Sequence, residues 1–529
     1  MKRIYLILLV LIGIATSCTK SFEDFNVDKK HPKLVPAAYL FANAQKAFAD
    51  QEVNTNVNLN EFKQWAQYFT STTYVDETNY NIVSRNVSST VFRIYYRDIL
   101  RDLKEVKDLL PGELAQLPAE LAVRKNKELI TDMMQVLVYS QLVDIFGDVP
   151  YSEAEDLNNL YPKYDDAFTI YKDLLARLDT DLAGLDAGYG SFDASDLYFG
   201  GDVAEWIKFG NSLKLRLGIT LADVDNAIAK KAVEEAYTGA FGSGELCQLV
   251  YQGGANSNQL YLDLVNSGRH DFVPANTIVN IMNNLNDPRL FSYFTTKKFA
   301  YKRDDATGKL VDTKILGTGK IVLVYKGGDS LVHADLPFTA LAVDTLNTFT
   351  YFSGGIYGKS NPFTQYSHIS DPIQDAKYPC VILDNTELEF YMAEAAERGY
   401  SVGKTATEHY NAGIKNSILS WGGSQADVDA YLLRPDVAYA TATGDWKQKI
   451  GTQAWLAYYV RGQVGFTSWR RLDYPILNLS PTIIDEYNNI PKRYTYPINE
   501  QTLNGASYTA AAAAIGGDKL TTKIFWDKN

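Results

Sequence analysis

The sequence predicts a mainly α protein: stacked helix pairs near both ends, separated by a loop-rich insert that carries minor β structure. Three observations support this. Apolar residues recur at three- and four-residue spacing in both outer parts, a small residue stands four positions before an aromatic at two distant sites, and glycines and turn residues crowd the middle.

In the first helical part, Asp202-Val203-Ala204-Glu205 has the spacing of a capping box. Trp206, Phe209, Leu213, Leu217 and Leu221 then share one helical face. Thr386 and Glu389 make a second capping-box pattern, with Leu388, Met392, Ala395 and Gly399 along the face behind it. The small residues Ala395, Ala396 and Gly399 predict close approach by a neighbouring helix. Ala167-x3-Tyr171-x2-Leu174-Leu175 and Ala406-x3-Tyr410-x2-Gly413-Ile414 share the spacing of the second helix in tetratricopeptide pairs, where the small residue admits a ring of the adjacent helix. The first-helix signature of those pairs is missing, so the repeats are degenerate. Asp144-Ile145-Phe146-Gly147-Asp148 ends a helix at Gly147, and its acids are expected to bond turn amides.

From residue 242 to 380 glycines and turns multiply, and short apolar runs such as Ile321 to Tyr325 read as strands. After Pro475 come Pro481, Pro491, Pro497 and the run Ala510 to Ala514, which read as irregular chain laid over the helical body. The expected organisation is a signal peptide over 1–17 and a single domain over 18–529. That domain divides into a helical block (18–241), the insert (242–380), a second helical block (381–475) and an irregular C-terminal segment (476–529).

Charge narrows the function. Among 529 residues, 51 Lys and Arg against 63 Asp and Glu leave a net charge of -12, which argues against nucleic-acid binding driven by phosphate neutralisation. Five scattered histidines and no CxxC pair give no local zinc motif. There is no HExxH and no GxSxG. Gly317-Thr318-Gly319-Lys320 lacks the first glycine and final hydroxyl of a phosphate loop and reads as a hairpin turn. Asp304-Asp305-Ala306-Thr307-Gly308 with Asp312 has oxygen ligands near a glycine, as calcium loops do, but not the spacing of an EF-hand. Glu387, Glu389, Glu394 and Glu397 lie on one helix and are expected to decorate a solvated face, not to form an opposed pair for glycoside hydrolysis. Arg470 and Arg471, beside Trp469 and Asp473, read as an internal ion-pair and stacking arrangement. Cys247 and Cys380 are open to two readings, a disulfide or two buried thiols.

The N-terminal residues carry an address. Lys2 and Arg3 precede an apolar run from Ile4 to Ala15, too short to span a bilayer that needs about 20 apolar residues. Ala15-Thr16-Ser17 then leads into Cys18, an arrangement that resembles the lipobox of bacterial lipoproteins, although Ala15 stands where leucine is commoner. Cys18 is thus the expected acylation site, and several acyl chains would make a stable anchor without a membrane-spanning helix. The acidic pair Glu23-Asp24 is of the kind associated with surface display in lipoproteins of the Bacteroidetes.

Further motifs follow in order: Phe22-Glu23-Asp24-Phe25-Asn26; Leu142-Val143-Asp144-Ile145-Phe146-Gly147-Asp148-Val149-Pro150-Tyr151; Trp206-Ile207-Lys208-Phe209-Gly210-Asn211-Ser212-Leu213; Asn286-Asp287-Pro288-Arg289; Glu389-Phe390-Tyr391-Met392-Ala393-Glu394; Trp469-Arg470-Arg471; and Ile490-Pro491-Lys492-Arg493 with Tyr496-Pro497. Together they resemble the SusD/RagB-like nutrient-binding outer-membrane lipoproteins, in the SusD-like subgroup, over essentially the whole chain. The resemblance implies a tetratricopeptide-like scaffold with an irregular insert, displayed on the cell surface as a lid over a TonB-dependent SusC-like transporter. It implies capture of oligosaccharide or peptide, no catalytic residues, no cofactor, and membrane attachment through the lipid anchor only. The competing readings are a surface glycan-degrading hydrolase and a non-catalytic adhesin or scaffold.

Capture of sugars calls for aromatic faces beside Asn, Asp and Arg. Three loops supply that mix. They nominate Tyr74, Asp76, Asn79 and Tyr80; Arg269, Asp271 and Phe272; and Tyr351 and Tyr357. For each aromatic the competing reading is packing inside the protein.

Overall fold

The computed structural model of the chain describes residues 35–303, 310–316, 325–326, 330–331, 348–480 and 489–528. Cys18 and the signal sequence, the Asp304 to Gly308 motif, the Gly317 to Lys320 turn and residues 321–324 lie outside the described residues.

Helices dominate, as the apolar periodicity predicts. The first block contains Ala37–Val53, Pro118–Phe146, Ala167–Gly184, Val203–Thr220 and Asn226–Ala236; the second contains Asn385–Glu397, Ala406–Ser420, Gln425–Leu432, Trp446–Ala457 and Gly462–Leu472. Trp206, Phe209, Leu213, Leu217 and Leu221 are all buried. The helices pack as antecedent and follower. Asn385–Glu397 lies on Ala406–Ser420, where a Cβ added to Gly413 would meet the Phe390 ring at 3.0 Å. Tyr171 and Tyr410, the aromatics of the repeat spacing, are buried. Helix Pro118–Phe146 is long and apolar enough to cross a membrane, but 89% of its most apolar window is buried inside the protein, so it is a core helix.

Caps define the starts. Asp166 accepts from the Thr169 amide at 2.8 Å, and Asp202 accepts from those of Ala204 and Glu205 at 2.9 and 3.3 Å. The Glu205 carboxylate bonds Lys208, not the Asp202 amide, so that cap is one-sided. The cap of helix Asn385–Glu397 lies two residues before the expected one: Asp384, not Thr386, accepts from the Glu387 amide at 3.0 Å.

Strand Leu246–Leu249, near the start of the expected insert, pairs antiparallel with Cys380–Asp384, which begins on its last residue. Cys247 and Cys380 both lie in this ribbon as free, buried thiols. Strand Lys297–Arg303 pairs with Leu310–Leu316 and Thr348–Tyr351, and Phe69–Ser71 pairs with Phe272–Pro274. The C-terminal segment is less irregular than its prolines predict, because the alanine run forms helix Gly505–Ala514.

Two expectations about charge are overturned. Glu387, Glu389 and Glu394 are buried, not solvated, because their helix lies between others that bring cations to it. Glu387 takes a fork from Arg216 (2.7 and 3.0 Å) and a further contact from Arg461; Glu394 takes Arg471 (2.8 and 2.9 Å) and Arg398 (3.0 Å); Glu389 faces His409 Nδ1 at 2.6 Å. Only Glu397 of the four is exposed. Asp144 bonds no turn amide; it accepts from the Tyr171 hydroxyl at 2.5 Å and Trp526 Nε1 at 2.9 Å, while Asp148 accepts the Ala167 amide at 2.9 Å. The Arg470–Arg471 reading holds in kind, with different partners. Arg470 lies between the Phe466 and Trp526 rings, 4.5 and 4.7 Å from their centroids, and donates to the carbonyls of Asp144 and Lys492, both at 2.7 Å.

Candidate functional site

The three nominated loops converge. Strand Phe69–Ser71 carries the first loop to the second: past the ribbon, the Thr72 amide donates to the Asp271 carbonyl at 2.9 Å and its hydroxyl to that of His270 at 2.6 Å. The third loop joins from the other side, the Gly355 amide donating to the Pro274 carbonyl at 2.8 Å and the Gly355 carbonyl accepting from the Asn276 amide at 2.7 Å. Gly355 is required there, since a Cβ would come within 2.7 Å of Val273 and 2.9 Å of Thr70. Asn361 ties the remaining edge, donating to the Ser71 carbonyl at 3.0 Å.

Convergence does not mean that every nominated residue faces solvent. Tyr80, Phe272, Tyr351 and Tyr357 are buried at 5% exposure or less, forming an aromatic layer beneath the loops, with Phe69 and Phe272 rings 6.2 Å apart and Tyr80 and Tyr357 rings 6.4 Å apart. Hydrophobic burial claims these rings because their loops fold back on the body. Asn79 is half-buried, its amide donating to the Val75 carbonyl at 2.8 Å, and Asp76 is half-exposed beside Arg85. Tyr74 is 58% exposed, and Arg269 and Asp271 form a surface fork at 2.7 and 3.2 Å. Tyr74 lies within electrostatic reach of Arg269.

Sequence reasoning missed the rings beside them. The exposed His270 ring stacks on Phe363 with centroids 4.2 Å apart and planes 12° apart; Phe363 in turn stacks on His368 at 3.7 Å and 11°. His368 Nε2 faces the Phe363 carbonyl at 3.0 Å, and burial lowers its pKa. Lys297 Nζ donates to the Thr364 carbonyl at 2.7 Å. The interleaving of aromatic and polar residues over Phe363-Thr364-Gln365-Tyr366-Ser367-His368 was the available signal. The outer face thus offers Tyr74, the His270–Phe363–His368 stack and a guanidinium–carboxylate fork, a set suited to flat, hydroxyl-rich ligands.

Among the described residues, the carboxylates of this face, Asp76 and Asp271, each lie beside an arginine, Arg85 and Arg269. On helix Asn385–Glu397, burial alone would raise the Glu387 pKa, but Arg216 and Arg461 outweigh it and hold the group below the ordinary carboxylate range. A separate cleft of about 790 Å³ opens among Glu52, Lys63, Tyr378, Cys380, Trp421 and Arg461; no residue nominated from the sequence lines it.

A family profile described as "Starch-binding associating with outer membrane" matches residues 29–325 and 336–497. The chain belongs to this SusD-like family. Solved SusD-like structures share its fold along nearly the whole length. A chitin-binding protein is 24% identical, covering 93% of this chain and 100% of its own, with a TM-score of 0.74. A chitin-binding SusD homologue from Flavobacterium johnsoniae is 22% identical (93% and 99% covered, TM-score 0.69), and a SusD homologue from Bacteroides uniformis is also 22% identical (93% and 100%, TM-score 0.69). Among curated proteins, none matches the sequence. The helix-pair architecture read from the periodicity is therefore the SusD-like fold.

Proposed function

We propose that this SusD-like chain is a surface-exposed lipoprotein, acylated at Cys18 after removal of residues 1–17, that captures oligosaccharide and delivers it to a TonB-dependent SusC-like transporter. The observation that carries the capture step is the exposed His270 ring, seated on the half-buried Phe363 and His368, beside Tyr74 and the Arg269–Asp271 fork. Rings of this kind take the C–H face of a sugar, and the fork takes its hydroxyls. The description of the family supports glycan as the ligand class, and the chitin-binding solved relatives put chito-oligosaccharides beside starch fragments at the head of the search.

Asp76 and Asn79 belong to this reading as residues that order the Tyr74 loop, and Tyr80, Phe272, Tyr351 and Tyr357 as the packed layer that supports it. Calorimetry of the chain lacking residues 1–17 against a glycan and peptide panel tests the proposal. Capture should weaken in Tyr74→Ala and Phe363→Ala, and unchanged affinity in both would discard the face. Incorporation of labelled palmitate tests Cys18, co-purification with a large β-barrel in mild detergent tests the transporter, and turnover of the bound glycan would favour the hydrolase reading.

A further inference from the structure

The separate cleft opens where the ribbon of Leu246–Leu249 and Cys380–Asp384 meets both helical blocks, and the capture face contributes nothing to its lining. Its volume of about 790 Å³ suits a compact ligand. One wall is aromatic. Trp421 is half-buried, its ring edge-on to Tyr293 with centroids 4.5 Å apart, and Phe291 is 58% exposed. The Ser292 hydroxyl, next in the chain to Phe291, donates to the Trp421 carbonyl at 2.7 Å, so the two rings belong together.

Four uncharged groups of the lining have no partner inside the protein. Among the described residues, the Gln248 amide, the hydroxyls of Tyr378 and Thr386, and Trp421 Nε1 hydrogen-bond no protein group, and each keeps contact with water. Gln248 stands opposite Val381 in the ribbon, and Thr386 lies in the first turn of helix Asn385–Glu397. Deeper in the lining, the wholly buried Tyr459 also has an unpartnered hydroxyl. The charged residues, by contrast, are engaged. Lys63 Nζ donates to the carbonyls of Glu52, Val53 and Asn54 at 3.1, 3.0 and 3.0 Å. Arg461 pairs with Asp384 at 3.1 Å and with Glu387, Glu245 takes Lys208 at 2.6 Å, and Glu52 accepts from the Tyr95 hydroxyl at 3.2 Å.

This lining selects by exclusion. Matched charges give an ionic guest no counter-charge to meet. A wholly apolar guest would strip water from four polar groups and return no hydrogen bond, which opposes binding. A guest with an apolar C–H face and a hydroxyl-bearing edge satisfies both walls, as a sugar ring does.

We infer that the cleft is a second saccharide site, taking a short uncharged oligosaccharide on the Trp421 ring, with its hydroxyls met by Gln248, Tyr378 and Thr386. The test uses the full chain carrying Tyr74→Ala and Phe363→Ala, which silences the capture face. It is titrated with triacetylchitotriose and maltotriose, and with trigalacturonic acid as the charged control, by calorimetry and tryptophan fluorescence. A single equivalent of at least one neutral trisaccharide should bind and change the indole emission, and the charged one should not. Adding Trp421→Ala should weaken that binding by at least about tenfold. Adding Thr386→Val, which keeps the side-chain shape and removes the hydroxyl, should weaken it about threefold and serves if the first variant does not fold. Failure of the face-silenced chain to bind either neutral trisaccharide overturns the inference. So does undiminished affinity in both cleft variants, or equal affinity for the charged control. Trp421→Ala in the otherwise native chain reports on the cleft, and Tyr74→Ala alone on the capture face, so either site can fail without the other.

Discussion

Charged side chains behave in opposite ways in two regions of this molecule. Around helix Asn385–Glu397 they are buried and each carboxylate is matched: Glu387 by Arg216 and Arg461, Glu394 by Arg471 and Arg398, Glu389 by His409. On the loop face, Arg269 and Asp271 pair with each other at the surface, with side chains 58% and 33% exposed. In the first region the geometry joins helices distant in sequence, and each of the three buried carboxylates is held by a neighbouring side chain. In the second the pairing is local and water competes for it, so a sugar hydroxyl can replace a water at little cost. Chemical resemblance between two charged clusters therefore says nothing of their roles until burial is known.

The comparison can be broken most forcefully at Glu387. Glu387→Ala would strand two buried guanidinium groups and should cost about 3–5 kcal/mol in denaturant unfolding, whereas Arg269→Ala should stay within about 0.5 kcal/mol of the parent. Equal effects would erase the distinction. Tyr80→Ala should also cost about 3–5 kcal/mol, since it empties a core position, while Tyr74→Ala six residues earlier should leave Tm unchanged and act on ligand affinity alone. Gly413→Val would press a side chain into the Phe390 ring and should lower stability by about 1–3 kcal/mol.

The last contrast concerns pH. Asp181 is buried near the Asp132 carboxylate; burial first, then that neighbour, push its pKa up to about 8. The unfolded chain gives up this proton near the ordinary carboxylate value, so between there and pH 8 the folded state holds more protons and loses stability as pH rises. Asp181→Asn should flatten that slope in melts taken from pH 5 to 8, and an unchanged slope would assign it to other groups.

These contrasts mark what was legible in the sequence. Periodicity exposed the apolar faces, as at Trp206 to Leu221, because a helix repeats its environment every three or four residues. It could not disclose that acids on helix Asn385–Glu397 are buried, because Arg216 lies 171 residues from Glu387 and Arg461 lies 74 residues from it. The capture face shows the same limit. Tyr74, Arg269 and Asp271 were readable as turn residues of suitable chemistry, but the stack of His270 on Phe363 depends on contacts made across the insert. Tyr80 and Tyr357 have the same composition cues as Tyr74 and differ only in which way their loops fold.

The guanidinium of Arg470, clasped between Phe466 and Trp526, has a consequence for biogenesis. Its cradle draws on the carbonyls of Asp144 and Lys492, so the first helical block, the second and the stretch holding Trp526 meet at a single cation. A chain cut short of Trp526 leaves that cation without one wall, so the last residues made complete a contact that begins in the first helical block.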